Sequence, residues 1–228
     1  MTQSAVDVVQ HNHHGTVLKG LAGTDVPRDI DKTLLFGRGD LAAVLRSHLE
    51  NVSAAVNDLP AEDFKAYSDE DLAAVLDERM LVMPLQLHES VLRTEQRDIE
   101  VDVSKDPRRN PLKQHGPIYV IGISLSVRIP YTGDDLLWHL RPSQWRDHFP
   151  RGVIHPAMPG REAELEIVAQ QPGDEDVSKL RDDLRREVDA IRFYLRAQQP
   201  QIDEENRRLR DAIRRALADR RRGLHIRH

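Results

Sequence analysis

Histidines and carboxylates are the residues to weigh first. The chain has no cysteine, so it has neither a thiolate nucleophile nor a thiolate metal cage. His11, His13 and His14 fall within four residues, a spacing that holds a divalent ion loosely but lacks the outer shell that a fixed metal site needs. His139, His148 and His155 sit in a proline-rich stretch with no identifiable carboxylate or cysteine companion. His88 and Glu89 adjoin a strand and have the types of an acid–base pair, although a half-solvated strand accounts for them equally. Asp63-Phe64-Lys65, preceded by Glu62, matches the last element of a restriction-type nuclease core. There a carboxylate–lysine pair on a strand edge shares magnesium with the scissile phosphate. Here the triplet follows Pro60 at a helix-like start, where surface charge is the simpler reading. Neither a phosphate-cradling glycine loop nor a serine elbow occurs, and Gly122-Ile123-Ser124 lies inside a strand. The expectation is an interaction protein rather than an enzyme, with no cofactor and no metal.

Residues suited to binding are better placed. The stretch Arg128–Ser143, RIPYTGDDLLWHLRPS, is the least generic part of the chain. Thr132-Gly133-Asp134 makes a turn, since glycine supplies positive φ and aspartate bonds its own backbone. Trp138 and Arg141, with Trp145 and Arg151 just beyond, are candidates for a pocket or a protein contact, because tryptophan and arginine dominate binding hot spots. The competing reading is that both tryptophans simply cover the sheet.

At the other end, Arg207 to His228 carries nine arginines against Asp211 and Asp219. That net of +7, in a chain of net −5, leaves −12 on the preceding 206 residues. Such a split suits an acidic partner, nucleic acid included, or a tail docked on its own acidic body. Arg214, Arg215, Arg220, Arg221 and Arg222 are the candidate phosphate contacts. Against that role, no aromatic residue is interleaved among them for base stacking. Leu209, Ile213 and Leu217 recur at four-residue steps and make one apolar face. Contact with a protein partner or with a second copy through this helix, in the manner of a coiled coil, is the leading expectation, and nucleic acid the alternative.

The elements that must position these residues follow from periodicity. Leu41, Val44, Leu45, Leu49, Val52 and Val56 mark a helix over residues 39–57. A second helix starts at Ser68, with Asp71 placed to complete a capping box. The period then falls to two. Leu85, Leu87, Val91, Ile99, Val101 and Val103 share one parity, and Tyr119 to Ile129 alternates without interruption. Short strands are expected at Leu136–Leu140, Val153–Ile154 and Ala163–Ala169. From Asp174 the helical period returns through Val177, Leu180, Leu184, Val188, Ile191 and Leu195, then resumes after Pro200 at Ile202. Proline inside a helix costs about 3 kcal/mol, so Pro200 is expected to kink or break it, with both halves extending from the body.

Strands adjacent in sequence without helical crossovers imply an α+β fold: N-terminal helices, a mainly antiparallel β-sheet and a long C-terminal helical arm. The expected division is a poorly ordered leader (1–35), a body (36–172) and the arginine-rich arm (173–228). Apolar residues make up 39% and charged ones 31%, which suits a core carrying solvated helices. No apolar run approaches the ~20 residues of a membrane span, and no secretory signal opens the chain, so a cytoplasmic location is expected.

The runs VRIPYTGDDLLWHLRP (127–142), PRGV (150–153) and IRFYLRAQQPQIDEENRRLRDAIRRALADRRRGL (191–224) resemble an uncharacterised bacterial module. That module precedes nuclease-like effector domains in phage-defence proteins, and the resemblance covers about residues 85–224. It implies a partner or sensor role in antiviral defence, with this chain as the non-catalytic half that ends where an effector would begin. Pro200 departs from the pattern by interrupting a helix expected to be continuous.

Overall fold

The computed structural model describes residues 33–109, 112 and 115–225, so His11, His13 and His14 lie outside the described residues. The expected N-terminal helix is two: α1 (Leu41–Glu50) and α2 (Val52–Asn57), divided at Asn51. Asp40 caps α1 by accepting from the Ala43 amide at 2.9 Å. After the short α3 (Asp63–Ala66), α4 (Asp69–Met80) begins at the expected capping box. Ser68 Oγ accepts from the Asp71 amide, and Asp71 Oδ2 accepts from the Ser68 amide, both at 3.1 Å. Leu35 and Phe36, at the edge of the expected leader, are fully buried.

The main sheet is antiparallel throughout. The long strand β4 (Tyr119–Thr132) is central. On one side it pairs with β7 (Glu164–Pro172), which pairs in turn with β6 (Val153–His155). On the other side β2 (Gln86–Leu87) and β3 (Arg93–Asp102) share the same edge of β4. A separate parallel pair joins β1 (Gly39–Asp40) to β5 (Leu140–Arg141). Leu136–Leu140 is a 3₁₀ turn over Asp135–His139 followed by β5, not a strand. The cause is the turn before it. Gly133 has φ +111°, and a Cβ there would lie 2.4 Å from the Pro84 carbonyl oxygen. Asp134 then exchanges hydrogen bonds with the Met83 backbone at 2.8 and 2.9 Å, turning the chain away from the sheet.

The odd positions from Leu85 to Val103 do not share one face. Leu87 sits opposite the buried Tyr131 on the core side, and after the 3₁₀ turn at Glu89–Val91 the phase is reversed in β3. Ile99 and Val101 sit opposite Gly122 and Val120, on the side away from the core, while Gln96 sits opposite the buried Leu125.

The C-terminal helix α5 is one 49-residue element, Val177–His225, that runs through Pro200. It is not an arm extending from a body. Leu180, Leu184, Ile191, Tyr194 and Ile202 pack with Leu125, Ile129, Leu165 and Ile167 of the sheet. Leu209, Ile213 and Leu217 pack with Val56, Phe64, Leu72 and Leu76 of the N-terminal helices. One buried stripe therefore serves two cores, and both hold the helix in phase across the proline. Side chains on either side of Pro200 also bond backbone carbonyls of the helix and of the segment packed against it. Gln201 Nε2 donates to the Ala197 carbonyl at 2.9 Å. The buried Gln198 donates to the Leu137 and Leu140 carbonyls at 2.9 and 2.7 Å. Pro200→Ala returns a backbone donor to the helix and is expected to raise stability by about 1 to 3 kcal/mol, read as a higher urea midpoint.

Candidate interaction surface

The three mid-chain histidines do not converge. His139 is half-buried, and burial together with the Arg38 charge pushes its pKa down. His148 faces Glu187 on α5 at 3.1 Å, and His155 faces Glu166 on β7 at 2.9 Å. Each of these two has a carboxylate companion, supplied from another element. Among the described residues no group of three histidines or acids is placed to hold a metal ion. Glu89 is not free to work with His88: Arg192 Nε donates to it at 2.9 Å, a bond that holds its carboxyl below the usual range. Asp63 is buried in α3 rather than standing on a strand edge.

The binding candidates from the RIPYTGDDLLWHLRPS region separate into inner and outer residues. Trp138 is fully buried, while Trp145 is 48% exposed. Trp145 ends a row of rings that runs inward through Phe149, Tyr194 and Phe36 to Trp138, with neighbouring centroids 4.8 to 6.0 Å apart. Arg141 lies over the Trp145 ring at 5.2 Å. Arg151 stands elsewhere, its amide donating to Glu187 at 2.9 Å and its guanidinium to Thr33 Oγ1 at 3.3 Å. Arg141 and Trp145 are thus brought together at the surface, apart from Trp138 and Arg151.

The tail residues are mostly committed within the chain. Leu209, Ile213 and Leu217 are fully buried, so the apolar face expected to meet a partner is covered by the chain's own helices. Arg220 bonds the Val56 and Leu59 carbonyls. Arg221 bonds the Phe64 and Tyr67 carbonyls and pairs with Asp69 at 2.6 Å. Arg214 and Arg222 are well exposed but lie beside Asp211 and Asp219 one turn back, and Arg215 Nε donates to the Asp211 carbonyl at 3.1 Å. The basic tail docks on its own acidic body.

Among the described residues, what remains open is the side of the sheet opposite α5. The register places Arg93, Arg128, Glu166 and Val153 in one row across it. The next rows hold Glu95, Ser126 and Val168, then Arg97, Ser124 and Gln170. Val153 and Val168 are 39% and 44% exposed. A charge network anchors this face. Arg128 donates through Nε and Nη2 to Glu166 Oε1, both at 3.1 Å, and His155 Nε2 reaches Oε2 at 2.9 Å. Glu164 is buried beside Arg161 at 3.3 Å and Arg93 at 3.6 Å.

Burial raises the Glu166 pKa, but the His155 and Arg128 hydrogen bonds and the Arg128 charge together outweigh it and leave the carboxyl below its usual range. A depressed acid stabilises the fold above its unfolded pKa of about 4.3, and that contribution is lost as pH falls through the folded value. Glu166→Gln should therefore lower the urea midpoint at pH 7, and the gap from wild type should close as the pH is taken below 4.

This network is the feature that sequence reading missed. The alternation Glu164-Leu165-Glu166-Ile167 was the available signal, since it puts both acids on one face of a strand. The chain matches no family model, no curated protein and no solved structure.

Proposed function

We propose that the chain is a non-enzymatic interaction protein that offers the open face of its sheet to a protein partner. The observation that carries this reading is the uncovered face itself, where exposed valines lie among three arginines and a fixed Arg128–Glu166–His155 network. Apolar area rimmed by ordered charge is the composition of a protein-binding surface. The resemblance of residues 85–224 to modules preceding nuclease-like effectors makes a partner or sensor subunit of a bacterial defence system the role that this surface would serve. A photo-crosslinking residue at Ser124 or Val168, with one at Asp182 on the exposed side of α5 as control, tests it in cells. Specific protein adducts from the sheet positions and none from Asp182 support the reading. Adducts from Asp182 alone, or from no position, sink it.

A second reading, nucleic-acid binding, draws on Arg214 and Arg222, whose side chains are 65% and 73% exposed. Their neighbouring aspartates lower the local potential, so binding through them would be weak and sequence-independent. Fluorescence anisotropy with a short DNA duplex at low and high salt decides it, because phosphate contacts give a steep salt dependence. Arg214→Glu/Arg222→Glu would then abolish that binding.

A further inference from the structure

Among the described residues β3 pairs only with β4, and its other, free edge is a second surface. β3 is ten residues long, and Arg93 through Asp98 are all exposed. The Val103 amide donates to the Ile118 carbonyl at 2.7 Å, which sets the parity of the ladder. Odd-numbered residues of β3 turn their backbone groups toward β4, so Thr94, Gln96 and Asp98 turn theirs toward the free edge. Charged side chains on an edge strand ordinarily blunt pairing with another strand. Here the sequence RTEQRDIEVD blocks every sizeable two-fold register except one.

Two antiparallel copies of one strand must place residues of equal parity opposite each other, because both side chains point to the same face. A register centred on Glu95 puts Glu95 on Glu95 and Arg93 on Arg97. Centring on Arg97 puts Arg97 on Arg97, and centring on Asp98 puts Asp98 on Asp98. Centring on Ile99 sets Asp98 against Glu100, and centring on Glu100 sets that residue on itself. Centring on Thr94 sets Arg93 against Glu95 but uses only Arg93–Glu95 of the strand, so among the longer registers the one centred on Gln96 alone is complementary. There Glu95 meets Arg97 of the second copy twice, Thr94 meets Asp98 twice, and Gln96 meets Gln96. In that register the edge-facing residues Thr94, Gln96 and Asp98 form the hydrogen-bonded pairs, about six backbone bonds in all, while Glu95 and Arg97 fall at the closer non-bonded pairs.

We infer that the chain forms a symmetric dimer through antiparallel β3–β3 pairing centred on Gln96. The two sheets then become one, with the two open faces side by side. Within one copy Arg97 Nε already donates to Glu95 Oε1 at 2.7 Å, and both side chains are well exposed, so they can exchange into the cross-copy pairs without unburying anything.

Sedimentation equilibrium of the full chain, from low micromolar to near-millimolar concentration, tests this. The wild type is expected to reach twice the monomer mass. Glu95→Arg and Arg97→Glu, each alone, set like charges opposite each other at both symmetry-related sites and should weaken the dimer roughly tenfold or more. An equimolar mixture of these two variants restores both attractive pairs, as does Glu95→Arg/Arg97→Glu in one chain, so each should dimerise like the wild type. Circular dichroism checks that every variant is folded. A wild type that stays monomeric throughout, or a dimer indifferent to the single reversals, overturns the proposal. Single variants that dissociate but are not rescued by mixing overturn it too.

Discussion

Trp138→Ala is expected to destabilise the fold by about 3 to 5 kcal/mol, the range for deleting a large buried aromatic side chain. For a chain of this length each kcal/mol lowers Tm by roughly 2 to 4 °C, so a fall on the order of 10 °C is expected in a thermal melt. The effect is large because Trp138 joins three parts of the chain. Its ring lies 5.7 Å from Phe36 and meets Tyr131 edge-on at 5.2 Å. Its carbonyl accepts the Phe36 amide at 2.6 Å. Phe36 holds φ +57°, a left-handed conformation that is costly for a bulky residue, and it is kept there by stacking on Tyr194 at 4.8 Å. Removing the indole takes away one wall of that arrangement. Trp145→Ala is the control: its ring is half exposed, and its loss should cost under about 1 kcal/mol. Equal effects from the two variants would mean that the aromatic row carries load at its outer end as well.

The two tryptophans also show where sequence reading stops. Residue type placed both among binding candidates, yet only the fold separates a core residue from a surface one. Local signals served well wherever the deciding contact was itself local. The Ser68–Asp71 box is a three-residue relation and forms as spaced, and the alternation through β4 gives a strand. That strand does not stop at Pro130 but continues to Thr132, where it pairs with β2. The odd positions from Leu85 to Val103 have one parity but not one face, because the 3₁₀ turn at Glu89–Val91 resets the phase between β2 and β3. Pairing with β4 then turns Ile99 and Val101 outward. His155 lacked a visible companion because Glu166 reaches it across a strand pair. The local cost of Pro200 predicts a kink or break, and that cost is not what decides the outcome. Two cores gripping the same helix stripe on either side of it outweigh a penalty of about 3 kcal/mol, and the helix continues.

Replacing both Arg220 and Arg221 by alanine is expected to cost about 3 to 5 kcal/mol and to loosen the N-terminal helices before the sheet. The two guanidinium groups serve the loops around α3. Arg220 holds the Val56 and Leu59 carbonyls at the end of α2, and Arg221 holds the Phe64 and Tyr67 carbonyls at the end of α3. Both also lie over the Phe64 ring, at 5.1 and 5.5 Å. A hydrogen bond to a charged group contributes roughly 1.5 to 3 kcal/mol, and carbonyls left without a donor add a desolvation cost where water cannot reach them. Lysine should rescue poorly. A single ammonium carries the charge but lacks the planar fork that spans two carbonyls and the Asp69 carboxylate at once. Hydrogen exchange resolved by segment is the measurement, with faster exchange expected over residues 52–80 while β4 and β7 stay protected. Uniform loss of protection would mean that the helical cluster and the sheet unfold as one unit through α5. If exchange were unchanged, these arginines would not be structural, and the tail would return to the list of surfaces open to phosphate.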